Sequence, residues 1–274
     1  MVNEETALVP VEHGALISAA ESQAALMALM TEDAGVGLED VTAADIAIPF
    51  MKLLQKGSPE CEEGNQAFIA DAVPGMLLNN VTREVVDIRS SKGKWALFVP
   101  VNYQKVIAEW RPNQQGKVTD HPMNQAILDG ATRKETPDGG IVLVNDSGNT
   151  LEETAKFHGL LADELGGMQW GILALTGSKL GAARKWMHLV TSKKLPNGAQ
   201  APIYSHSYKV SSFLDTSKRT AKTYQQLRFE DGGRITDVTT YQAAKLYRDA
   251  VLAGKVKESP DGPVQPQADD DVPF

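Results

Sequence analysis

Between Ile48 and Ile107 the chain consists of short apolar runs separated by Gly, Asn, Ser and Pro, and this spacing limits what it can fold into. The run Ile48-Pro49-Phe50-Met51-Lys52-Leu53-Leu54-Gln55 reads as a strand, because Pro49 suits an edge or first strand position, and Gly57-Ser58-Pro59 reads as a turn. Met76-Leu77-Leu78 and Val85-Val86-Asp87-Ile88 flank Asn79-Asn80 and predict a strand pair. Trp95 to Ile107 is the strongest sheet candidate: Trp95, Leu97 and Val99 alternate against Ala96 and Phe98 before Pro100. Short strands joined by such turns predict a small, curved sheet or barrel.

Beyond Trp110 the pattern changes. Arg111 to Gly140 is irregular, Ile141 to Val144 is a brief strand, and Leu151 to Glu164 reads as helical or connecting material. Met168 to Leu175 is a strand, and Ser178 to Leu189 has helical spacing through Leu180, Ala183, Met187 and Val190. Tyr204 to Leu214 alternates and pairs with Tyr224 to Phe229. A last helix spans Val238 to Ala253, with Asp237 or Thr239 as its cap and Gly254 beyond its end. Near the N-terminus, residues 15–34 form a helical pattern stopped by Gly35 and Gly37. No internal repeat is visible. The order implies a β core with helices inserted or appended, and three parts: an acidic arm with a helix (1–47), a body (48–257) and a flexible acidic tail (258–274).

The formal net charge of −8 argues against a nucleic-acid partner until its distribution is considered. Residues 1–49 carry nine acids and no base, residues 50–257 carry 27 bases against 21 acids, and residues 258–274 carry five acids. Within the body, residues 179–222 hold nine bases against the single acid Asp215. A solvated face is one reading of such a run; a binding surface is the other.

Aromatic residues interleave with these bases, and single-strand binding needs both: cations for the backbone and flat rings for unpaired bases. Tyr204, His206 and Tyr208 share one face of an ideal strand, a stacking platform if exposed and half of a core if buried. Lys209 falls on the other face. The candidate nucleic-acid residues here are Lys185, Trp186, Lys193, Lys194, Tyr204, Tyr208, Lys209, Lys218 and Arg219, joined upstream by Trp95, Tyr103, Trp110 and Arg111. Of Trp95 and Phe98 at least one should be core, since alternation separates their faces.

Chemistry is thinly signalled. Gly177-Ser178-Lys179 lacks the upstream Gly and the interval of a phosphate loop, and its Ser precedes Lys. The five His residues include no close metal-binding pair, and one cysteine, Cys61, can form neither an internal disulfide nor a cysteine cluster. Glu60-Glu62-Glu63 and Glu152-Glu153 read as solvated turns or helix surfaces before they read as magnesium ligands. No enzyme activity, metal or cofactor is expected. No run of 18 apolar residues exists, so no membrane span is expected either, and the N-terminus lacks a secretory pattern.

The chain ends Asp269-Asp270-Asp271-Val272-Pro273-Phe274, three carboxylates running into a short apolar plug. This end resembles the acidic C-terminal tip of bacterial single-stranded DNA-binding proteins. The resemblance implies that Pro273 and Phe274 enter a pocket on replication and repair enzymes, with Val272 beside them and the three Asp residues meeting a basic rim. More broadly, IPFMKLLQKGSPE with the WALFVPV region resembles tailed-bacteriophage single-stranded DNA-binding proteins. That likeness implies an elaborated OB-type antiparallel β barrel in an α+β chain. It also implies a non-enzymatic role in DNA replication, recombination and repair, in which the protein coats single-stranded DNA in the cytoplasm of an infected bacterial host. A homo-oligomer is compatible with it. The alternative reading is an interaction protein that recruits or inhibits host replication or repair proteins without coating DNA.

Overall fold

The computed structural model describes Ala28 and residues 47–112, 116–135, 141–162, 168–217 and 221–259. The chain divides into two units, Met1–Thr42 and Ala43–Phe274. Of the first, only Ala28 is described, helical and exposed; the rest of the helix expected over 15–34 lies outside the described residues, as does the tail beyond Ser259.

The first strands are short. β1 (Ala47–Pro49) and β2 (Met51–Leu53) are separated only by Phe50; β2 pairs with β3 (Leu77–Asn79), which in turn pairs with β4 (Val85–Val86). The long elements follow: β5 (Ala96–Trp110), β6 (Lys117–Pro122), helix α1 (Gln125–Asp129), β7 (Thr132–Glu135), β8 (Ile141–Val144), β9 (Thr150–Ala162) and β10 (Met168–Thr176). Helix α2 (Leu180–Thr191), β11 (His206–Thr216), β12 (Thr223–Arg234), helix α3 (Val238–Leu252) and β13 (Lys257–Ser259) complete the chain. β13 returns to lie parallel with β1. Asp237 starts α3 as its cap, its Oδ2 accepting from the Thr240 amide at 2.6 Å.

β5 to β12 make one eight-stranded sheet in which β5 and β9 are central. β5 carries β11 along its first residues and β6 along its last; β9 carries β10 along most of its length and β8 at Thr150 and Leu151. Both edges of β9 are paired, which explains how it overrides its composition. Leu151 to Glu164 is rich in helix formers and reads as helical or connecting, yet Thr150–Ala162 is a strand whose partners on either side satisfy its backbone. Gly159 is required there: a Cβ would come within 2.4 Å of the Phe98 ring and 2.5 Å of the Val99 carbonyl oxygen.

Two cores result. On one face Trp186 of α2 stacks on Phe157 and Phe229 at 4.1 and 4.0 Å and meets Phe98 and Tyr208 edge-on. On the other, Ile48, Val99, Val101, Leu160 and Ile172 pack under Tyr247 of α3, which stacks on Trp170 at 4.9 Å. Burying so much aromatic surface is the main attraction holding the helices to the sheet.

The expected OB-type barrel is not formed. The strand path runs from β12 through β11, β5 and β9 to β8 and β7, with β10 also on β9, and no pairing among the described strands joins β12 to β10 or β7. The fold is instead a mixed α+β arrangement of several sheets around one open antiparallel sheet, flanked by helices.

Candidate functional site

On β9 the residues Glu152, Thr154, Lys156 and His158 alternate onto one face, opposite the face that carries Ala155 and Phe157 into the Trp186 core. Next to this polar stripe lies a cleft of about 490 Å³, lined by Phe50, Met51, Lys52 and Leu53 from the β2 side, Ala108 and Trp110 of β5, Lys117 of β6, Glu152, Thr154 and Lys156 of β9, and Leu173 to Thr176 of β10, with Lys179 at its end. Size and mixed lining are those of a small-ligand site.

The cleft has two charged ends. At one, Lys156, only 2% exposed, is bonded by both Asp120 and Glu258. Lys117 lies 2.5 Å from Asp120 and 3.6 Å from Glu258, and His158 Nε2 lies 3.1 Å from the second oxygen of Glu258. Phe50 covers the two ammonium groups, at 5.8 Å from Lys117 and 5.7 Å from Lys156. Burial alone would raise the Glu258 carboxyl, but hydrogen bonds from His158 and Lys156 and the charges of both lysines hold it down at about 2. Burial likewise disfavours the Lys156 ammonium, and bonds to Asp120 and Glu258 overcome it, so its pKa is raised. Lys117 is shifted the other way, chiefly by burial and by the charge of Lys156, against the pull of Asp120.

At the other end Glu152 and Lys179 face each other without an ion pair within 4 Å among the described residues. Burial pushes the Glu152 carboxyl up, only partly offset by a hydrogen bond with Thr176 and by the charge of Lys179. Burial pushes the Lys179 amine down, with Glu152 the opposing influence. Two unlike groups are thus each displaced toward neutrality within one cleft, a pattern concentrated at functional sites. Trp110 Nε1, on the same wall, is buried and has no hydrogen-bond partner among the described residues.

Of the candidate nucleic-acid residues only Trp110 lines this cleft, and Glu152 and Lys179, set aside in the sequence as a magnesium ligand and part of a phosphate loop, line it as well. Trp186 and Tyr208 are 1% exposed and belong to the α2 core. Tyr204 lies in a 3-10 turn, Ile203–Ser205, before β11 begins, and packs in the opposite core beside Tyr241. Tyr204, His206 and Tyr208 therefore form no common exposed platform. Tyr103 packs against the α2 core and lines a small recess with Arg184 and His188. Lys193 is bonded to Asp231, and Lys194 reaches Gln200 at 3.3 Å. Arg111 and Lys185 are exposed. Trp95, 48% exposed, lies under the Lys209 ammonium at 4.7 Å, while Phe98 takes the core position. Lys218, Arg219 and Asp269 to Phe274 lie outside the described residues. The named bases and rings are thus distributed over several surfaces and two cores. What sequence reasoning missed was Phe50, Lys117, Glu152, Lys156 and Lys179 as a group; the signal was the period-two polar stripe of β9.

A second polar pair, Glu109 and His121 at 2.6 Å, lies elsewhere on β5 and β6. Its carboxylate also accepts from Asn149 at 2.7 Å and Asn145 at 2.8 Å, bonds that together with His121 hold it below its ordinary pKa against burial. These bonds tie the 145–149 turn to the sheet.

The fold and cleft define an α+β protein built on an open antiparallel sheet with a pocket on its central strands. Comparison with known families narrows this: residues 18–257 match the model of the Pam3 phage gp34-like proteins, and the chain belongs to that family. No curated protein and no solved structure matches it. The phage origin implied by the sequence therefore stands, whereas the assignment to the single-stranded DNA-binding proteins is replaced by this family. The coating mechanism falls with it, and so do the DNA-binding, replication, recombination, repair and OB-fold descriptions that depended on it. The barrel that should carry the strand is absent, and the rings meant to stack on bases are largely spent inside the cores.

Proposed function

We propose that this phage protein acts by binding, without catalysis, and that its cleft takes an amide-bearing ligand such as a segment of a phage or host protein in the infected bacterial cell. The observation that carries this reading is the Glu152–Lys179 end. The lysines at the opposite end are already matched by Asp120 and Glu258, and Lys52 is matched by Glu60 at 2.9 Å. The cleft is therefore not a general trap for anions. Among the described residues, Glu152 and Lys179 have no ion pair within 4 Å and the Trp110 N–H has no partner, which leaves one acceptor and two donors for a ligand. An amide offers a donor and an acceptor side by side, while Phe50, Leu173 and Leu175 provide apolar contact for an attached side chain.

Benzamide, benzoate and benzylamine separate this reading from simple charge attraction. Titrations followed by two-dimensional NMR should give saturable shifts at residues 108–110, 152–154 and 173–179, with benzamide binding more tightly than either charged analogue. Equal response to all three, or shifts confined to other surfaces, would reject the proposal.

A further inference from the structure

β13 joins the body through a parallel ladder of only three residue pairs, with Glu258 opposite Ile48. Beyond this ladder, the Asn80 side-chain amide donates to the Ser259 carbonyl oxygen at 2.5 Å. Its most specific attachment is the Glu258 side chain, whose two oxygens receive Lys156 and His158 and lie within 3.6 Å of Lys117. These receiving groups belong to β6 and β9, whose places are fixed by long pairings with β5 and β10. The receptor is thus part of the large sheet, and the carboxylate arrives on a separate short strand.

Departure of Glu258 would leave Lys156 with Asp120, one of the two carboxylates that now hold it. Two ammonium groups and an imidazole converging on the oxygens of one carboxylate form an arrangement that also suits a free carboxylate or phosphate. Further donors lie close by. Asn102 is the strand partner of His158, and Tyr247 meets His158 edge-on at 6.4 Å; Asn102 Nδ2 and the Tyr247 hydroxyl are both buried without partners among the described residues. Asp120 Oδ1, without a partner among the described residues, opposes an anion here, against the Lys156 ammonium and the donors around it.

We infer that Glu258 occupies a built oxyanion site as an internal stand-in, and that β13 is a strap which an external carboxylate or phosphate displaces. This inference is independent of the ligand at the Glu152–Lys179 end, because none of its groups is shared with that end.

The test uses the full chain carrying Glu258→Ala. In sodium chloride its Tm should fall below that of the wild type, and acetate or phosphate at matched ionic strength should restore several degrees in a saturable way. The double variant Glu258→Ala/Lys156→Met should show no such recovery. Preference for acetate would identify a carboxylate site and preference for phosphate a tetrahedral-anion site, each supporting the inference. Should Glu258→Ala fail to fold in chloride, refolding yield in acetate or phosphate reads the same property. No advantage of either anion over chloride would overturn it. In the wild type, hydrogen exchange at Ile48 and Glu258 should quicken with phosphate but not with chloride; unchanged exchange would overturn the displaceable strap.

Discussion

Glu152 and Lys156 stand four residues apart on the same face of β9, yet their surroundings are opposite. Lys156 is saturated: two carboxylates bind it, and its pKa is raised in spite of burial. Glu152 has one hydroxyl partner and a distant lysine, and burial prevails. The difference teaches how to read a polar stripe on an otherwise apolar sheet. Where each charge is matched, the charges serve the fold, fixing β6 and β13 against β9. Where unlike charges are desolvated but held apart, the sheet keeps binding capacity in reserve.

The largest expected effect breaks the comparison at its saturated end. Lys156→Met takes from Asp120 and Glu258 the buried ammonium that both of them bind, and should cost about 3–5 kcal/mol in chemical denaturation. Lys179→Met, equally conservative in shape, should change stability by no more than about 0.5 kcal/mol. Similar losses in the two variants would show that the two ends do not differ in kind.

Acid should then separate them without mutation. Glu258 has its pKa lowered to about 2 from the ordinary value of 4.5, so its contribution is full above the unfolded value and is lost as pH falls through the folded one. That contribution amounts to about 3 kcal/mol at neutral pH by linkage. Urea titrations of the wild type should therefore lose stability steeply between about pH 5 and pH 2. In Glu258→Gln this component of the slope should vanish. An unchanged slope would place the acid sensitivity elsewhere.

Much of this architecture was legible in the sequence, and the exceptions have physical causes. β2, β3, β4, β5, β10 and β12 lie where alternation and turns predicted strands, and α2 and α3 follow their apolar spacing and, for α3, the Asp237 cap. β9 was not legible, because Glu152 and Lys156 at an interval of four also resemble an ion pair on a helix surface. Its neighbours in the sheet, distant in sequence, decide otherwise. Barrel closure was equally out of reach: local periodicity specifies a strand but not whether the ends of a sheet meet. Tyr204 shows how one turn shifts a pattern, since Pro202 begins a 3-10 turn, closed by Ser205 Oγ donating to the Pro202 carbonyl at 2.6 Å, and strand phase starts only at His206. The candidate site was legible only as the scattered residues Trp110, Glu152 and Lys179, because its members come from separate segments of the chain.

The smallest expected effect sharpens the comparison at its unsaturated end. Glutamine at position 152 keeps the shape of glutamate and can still accept from Thr176, but it carries no charge to be desolvated. Because burial raises the folded-state pKa of Glu152, the wild type bears the full penalty of ionisation above that value and none well below the unfolded value of 4.5. Glu152→Gln should accordingly be more stable than the wild type at pH 7, by about 0.5 kcal/mol or a degree or two in Tm. The advantage should disappear as pH falls toward 4.5 and the wild-type carboxyl becomes neutral. The same variant should bind benzamide more weakly, since the charged acceptor is gone, so stability and binding move in opposite directions. Coincident stability curves across this range would mean that Glu152 is fully hydrated, and the contrast with Lys156 would then reflect exposure alone.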